Sequence, residues 1–206
     1  MVLFLLFPIL GSIALYTFLF FELIHLFSDH GGNIYYLDFS NNGKFLASAS
    51  RDNNIKIWDL EKIEIAHVLT GHERSVMSVK FSSNDRYLIS CSYDASIKLW
   101  DVQNGEEIYT FLGHSMPVND ADISQDCKYI LSASSDNSIK LWEIKPEILI
   151  NYYFEVEFQN ELNKSNLFTP KRSSESRAEF KERQEKAELY KQNLLQNFID
   201  RLDKSN

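Results

Sequence analysis

The sequence predicts an all-β fold: three copies of one short, four-stranded unit, with an apolar helix before them and an amphipathic helix after them. Two observations carry this. The nine residues "DNNIKIWDL" return as "DASIKLWDV" and "DNSIKLWEI", each copy 42 positions after the last, a period that marks stacked or radially arranged units. Within each copy, short runs alternate apolar and polar residues between polar turns, the pattern of antiparallel strands.

Composition narrows the class. At 206 residues the chain holds one domain or two small ones, and 44% hydrophobic with 24% charged residues is ordinary for a globular protein. A net charge of −8 supplies no basic surface for nucleic acid. Cys91 and Cys127 form no CxxC and have no histidine at metal-ligand spacing, so they read as small apolar fillers in a reducing compartment. No metal or cofactor is expected.

Residues 2–21, "VLFLLFPILGSIALYTFLFF", carry no charge and reach the length of a bilayer-spanning helix. No Lys or Arg precedes them, unlike a signal peptide. They fit three readings: a membrane helix, a segment buried in a larger assembly, or an N-terminus that does not belong to the protein. Glu22 to Phe27 align with "EEIYTFLGH" and read as the last strand of a preceding unit.

The repeats then occupy about 30–70, 72–112 and 114–156, a region of 22–156 in all. "IYYLDFS", "VMSVKFS" and "VNDADIS" are first strands, and "NNGKFLASAS", "SNDRYLISCS" and "QDCKYILSAS" each put a polar turn before a second. The repeated motif is the third strand, with Ile97, Leu99 and Asp101 on one face and Lys98 and Trp100 on the other. "IEIAHVLT", "EEIYTFL" and "EILINYYF" are fourth strands. Four short strands in about 42 residues make the blade of a β-propeller.

Beyond 156 the period stops. Residues 157–175 read as a polar linker, broken at "TPKRSS", with Asn163-Lys164-Ser165 a glycosylation acceptor sequence. Residues 176–204 read as an amphipathic helix whose Ala187, Tyr190, Leu194, Phe198 and Leu202 recur every three or four positions. It suits either a short coiled coil or a helix lying on a propeller face.

Gly71-His72 and Gly113-His114, together with Trp58-Asp59 and Trp100-Asp101, make the chain resemble the WD-repeat family. Asp29-His30 and Trp142-Glu143 depart mildly from that signature. The resemblance implies that His, Ser, Asp and Trp of each unit form a hydrogen-bonded brace: His30, Ser48, Asp52 and Trp58; His72, Ser90, Asp94 and Trp100; His114, Ser132, Asp136 and Trp142. It also implies a scaffold for other proteins, whose partners dock on a narrow top face. The matching positions are Asn33, Tyr35 and Arg51; Ser75, Met77 and Tyr93; Pro117, Asn119 and Ser135.

Ser, His and Asp together invite a hydrolase reading, but "LASAS", "LISCS" and "LSASS" lack the glycines of a nucleophile elbow, and three equal copies argue against one active site. Three blades are too few to close a propeller, which needs four to eight. Either the chain associates with other copies or another propeller, or it is a fragment of a longer one. The expected function is a non-enzymatic, cytoplasmic adaptor, with a membrane-anchored adaptor held by residues 2–21 as the alternative.

Overall fold

The computed structural model of the chain describes residues 4–9, 12–17 and 23–204, with side chains for 12–13, 25–202 and 204. It divides into a β unit ending at Ile144 and a helical unit starting at Lys145.

Four antiparallel sheets make up the β unit. The first joins β1 (Phe4–Ile9), β2 (Ser12–Thr17) and β3 (Leu23–Phe27). The second holds β4 (Ile34–Phe39), β5 (Phe45–Ser50), β6 (Ile55–Asp59) and β7 (Glu64–Leu69) in chain order. The third holds β8 (Val76–Phe81), β9 (Tyr87–Ser92), β10 (Ser96–Asp101) and β11 (Glu106–Leu112). The fourth has three strands: β12 (Val118–Ile123), β13 (Tyr129–Ser134) and β14 (Ile139–Glu143). The first strands β4, β8 and β12 lie against one another, so successive sheets stack face to face. The described residues form no closed propeller.

Apolar positions of neighbouring sheets interdigitate. Ala47, Ala49, Ile55 and Ile57 of one sheet cluster with Val76, Val79, Phe81, Leu88 and Trp100 of the next. Polar stitches join neighbouring sheets: Asp38 Oδ2 of the second accepts from the Phe81 N–H of the third at 2.8 Å, and the Ser78 hydroxyl of the third donates to Asp120 of the fourth at 2.6 Å. All three repeats share two left-handed turn positions, Gly43, Asp85 and Cys127 at one and Asn53, Ala95 and Asn137 at the other, and the first two add a third at Ile63 and Gly105. Cys91 is a buried filler, but Cys127 (φ 57) is a turn residue 3.5 Å from the Ser83 hydroxyl.

The N-terminal helix expected over 2–21 is not supported, because the described residues there form β1 and β2. Uninterrupted apolar residues suit a buried strand as well as a helix, and Pro8 and Gly11 disfavour a continuous helix. Pro8 lies in β1, an end strand of its sheet, where a missing N–H is tolerated. Ile13 and Phe27 are buried with Ile34, Leu46 and Trp58 of the second sheet. Among the described residues no helix is long and apolar enough to cross a membrane.

The third unit also departs from expectation. "EILINYYF" is not a fourth strand but the start of α1 (Pro146–Lys164), which runs through much of the expected linker. Pro146 sits in the first turn, where its missing N–H costs nothing, and Glu147 complements the helix dipole. The apolar residues of this stretch find a partner helix, α2 (Arg177–Lys204): Ile150 and Phe158 are buried with Phe198 and Leu202. Ser176 and Glu179 cap α2 reciprocally, each side chain accepting from the other's backbone N–H, at 2.8 and 3.2 Å. Between the helices Arg183 clamps the chain, donating to the carbonyls of Leu167, Thr169 and Pro170 and bidentately to Glu175. The Arg183 guanidinium holds the Glu175 carboxyl down at about 2.

Candidate functional site

Each repeat brings its four brace residues together. His30 Nδ1 lies 2.8 Å from Asp52 and Nε2 2.7 Å from the Ser48 hydroxyl, which accepts from the Trp58 indole N–H at 2.9 Å. In the second repeat the same three distances are 2.9, 2.8 and 2.8 Å, through His72, Asp94, Ser90 and Trp100. In the third, through His114, Asp136, Ser132 and Trp142, all three are 2.8 Å. A carboxylate only accepts, so each Nδ1–H donates to Asp, and a neutral ring leaves Nε2 to accept from the serine. Indole, hydroxyl and imidazole protons then point one way, toward the carboxylate.

The turn following the second strand holds that carboxylate. The backbone N–H groups of Gly31, Glu73 and Ser115 donate to the Oδ2 atoms of Asp52, Asp94 and Asp136, the oxygens that also face the histidines, and those of Asn54, Ser96 and Ser138 to the Oδ1 atoms. In the second and third repeats the hydroxyls of Ser96 and Ser138 add bonds of 2.5 Å. Burial opposes ionisation of Asp52 and Asp94, but the histidines and these donors outweigh it and hold both below the usual carboxylate range. For Asp136 the Ser138 hydroxyl is the largest cause, in the same direction. Burial, the largest cause, and the nearby Lys56 ammonium lower the His30 pKa against the opposing pull of Asp52.

The brace serines have little chemistry to offer a substrate. Ser48, Ser90 and Ser132 are 0%, 1% and 2% exposed, and each oxygen is already occupied by an indole N–H. Among the described residues no cluster of three or more His, Cys, Asp or Glu side chains is placed to hold a metal.

Sequence reasoning placed Lys98 on the face of Trp100 but assigned no role to the three lysines of the repeated motif. Lys56, Lys98 and Lys140 place their ammonium groups 5.7–6.0 Å from the ring centres of Trp58, Trp100 and Trp142. Lys56 also donates to the Asp29 carbonyl, Lys98 to Glu107 and Thr110, and Lys140 to the Gly113 carbonyl. Their 42-residue spacing was the available signal. Gly71 lies close beside this stack: a Cβ there would sit 3.1 Å from the Glu107 carboxylate and 3.2 Å from the edge of Trp100.

The expected top-face positions share one backbone device. Arg51 N–H donates to Asn33 C=O, Tyr93 N–H to Ser75 C=O and Ser135 N–H to Pro117 C=O, at 2.8–2.9 Å. Tyr35, Met77 and Asn119 each fall at a register shift of the first strand, where an extra residue re-aims its side chain. Tyr35 and Tyr93 are 43% and 50% exposed. Tyr93, Pro117 and Ser135 join Glu73, Arg74 and Met116 in lining a shallow hollow between the second and third repeats. Asn33, Tyr35, Arg51, Ser75, Met77 and Asn119 do not line it. Glu73, Arg74 and Met116 were not singled out from sequence, although Arg74 and Met116 directly precede positions that were.

Comparison with protein families matches the WD domain, G-beta repeat (WD40) model at residues 21–59, 63–101 and 105–143. A comparison with curated proteins finds no match. With three successive matches over more than half of its length, the chain belongs to the WD domain, G-beta repeat family, whose repeats point to a protein-interaction scaffold.

Proposed function

We propose that the chain is a non-catalytic scaffold that holds an extended segment of another protein in the hollow between its second and third repeats. The observation that carries this is the half-exposed Tyr93. Its backbone is pinned to Ser75, and its ring shares the hollow with Arg74, Met116 and Pro117. Aromatic, Arg and Met side chains are the types enriched at interface cores, and a rigid aromatic loses little entropy on binding. Glu73 and Arg74 at the rim can orient a charged partner. Of the brace residues only Asp94 reaches the wall of the hollow, where its carboxylate is already held by His72, Ser96 and backbone N–H groups, so the regular residues support the site and the variable ones read the partner.

Peptides selected from a random display library against the whole chain provide the test. Tyr93→Ala should weaken selected binders about 30-fold, equivalent to roughly 2 kcal/mol, with an unchanged circular dichroism spectrum. Arg51→Ala, which lies outside the hollow, should cost less. Binders that survive Tyr93→Ala and Met116→Ala would move the binding surface elsewhere.

A further inference from the structure

The outer face of the fourth sheet is built to be covered. Ala47, Ala49, Ile55 and Ile57 in the second sheet are each 0% exposed, and Ile89, Cys91, Ile97 and Leu99 in the third are 0–1% exposed. The positions 42 residues further on are Leu131, Ala133, Ile139 and Leu141; the three large ones are 50%, 72% and 68% exposed. Tyr129 repeats the contrast at 41% against 5% for Tyr87. In the second sheet the cover is the next sheet of the same kind, through Val76, Val79, Phe81 and Trp100. The polar stitch is vacant too: Asp38 accepts from Phe81 N–H of the next sheet, whereas its counterpart Asp122 is exposed and accepts from its own neighbour Ile123. Side-chain types and spacing on this face therefore specify another repeat sheet as occupant.

The arc's other end is a repeat sheet made of the second, third and fourth strands, β1 falling 42 residues before β5. β2 falls 42 residues before the third strand β6, and β3 before the fourth strand β7. Its register shift at Leu15/Tyr16 repeats those at Ile57/Trp58 and Leu99/Trp100. The first sheet thus keeps the pattern of a repeat that follows another, and the fourth sheet's face is that of a repeat that precedes another. We infer that a second copy of this chain docks its β1–β3 sheet on the exposed β12–β14 face, and that two copies close head to tail into a ring of eight sheets. Eight lies within the four to eight blades at which propellers close, and a head-to-tail contact that returns on itself leaves no open end.

Light scattering behind size exclusion tests this on the whole chain. The expected mass is twice 24.0 kDa, falling to 24.0 kDa in the double variant Ile139→Lys with Leu141→Glu. These side chains are exposed in the single chain, so the variant should keep its circular dichroism. Leu131→Ser reads the same face should the first variant not fold. Leu112→Lys, 74% exposed but off this face, should leave the dimer intact. A wild-type monomer throughout roughly 1–100 µM would overturn the inference, since dimer populations follow concentration. So would a dimer indifferent to both face variants, a dimer lost in Leu189→Lys on α2, or polymers of rising mass in place of a closed pair.

Discussion

The second and third repeats carry the same brace in different surroundings. Histidine to serine and indole to serine measure 2.8 Å in both. Around them, β9 and β10 are buried along their whole length, while β13 and β14 expose alternate residues. Trp100 is 1% exposed, beneath a fourth strand; Trp142 has no fourth strand in its sheet and is only half-buried. The brace is therefore a local property of each repeat's own residues, and burial is a property of its neighbours. Repeat proteins generally divide their stability this way, between a term for each unit and a term for each interface.

The largest expected effect separates those two terms. Trp100→Ala should destabilise the β unit by about 3–5 kcal/mol, from a cavity and a buried hydroxyl left without its donor. Trp142→Ala should cost about half as much, because part of its surface is already in water. Asn104→Ala, an exposed turn change, is the control in the same thermal or urea unfolding series. Equal losses at the two tryptophans would mean that neighbours contribute nothing to the difference.

Acid should act on the brace in two ranges. The folded His30 pKa lies below its ordinary 6.5, so the unfolded chain takes up the proton first and stability falls as pH drops below 6.5. The folded pKa values of Asp52, Asp94 and Asp136 lie below 3.8; their contribution is present above that value and is lost as pH falls through the folded ones. Urea midpoints measured by tryptophan fluorescence at stepped pH would show this. Asp94→Asn, which cannot titrate, should flatten the loss below about pH 4 while leaving the His30 range unchanged. A profile as steep in that variant would remove Asp94 from the cause.

The smallest expected effect lies in one turn. Asn53, Ala95 and Asn137 have φ of 70°, 70° and 64°, and asparagine tolerates that conformation better than alanine. Ala95→Asn should stabilise the second repeat by about 0.5 kcal/mol, read as a small rise in melting temperature.

The braces were legible in the sequence because each needs four particular residue types, and a change at one orphans the rest. The first sheet was not, because its brace positions have been overwritten. Leu6, Leu10 and Tyr16 stand 42 residues before Ser48, Asp52 and Trp58, which leaves apolarity as the dominant signal and a helix as the natural reading. The same subtraction would have placed Ile13 on Ile55 and Gly11 on the left-handed Asn53. Residues 147–154 misled in the opposite sense. Their Ile, Tyr and Phe residues suit a strand, and only the apolar stripe of α2, distant in sequence, draws them into a helix. The register shifts at Tyr35, Met77 and Asn119 depend on cross-strand pairing, which no single strand records. The hollow had the same obstacle, since its walls come from two repeats.

Exchange of the three indole protons tests most directly the claim that every repeat holds itself by its own brace. The chain has three tryptophans, one in each repeat, so a ¹⁵N-indole spectrum in deuterated buffer reads all the braces at once. Each N–H should be protected relative to free indole, with Trp58 and Trp100 slow and Trp142 the fastest of the three. An indole in any repeat exchanging at the free rate, or Trp142 outlasting Trp100, would contradict the account.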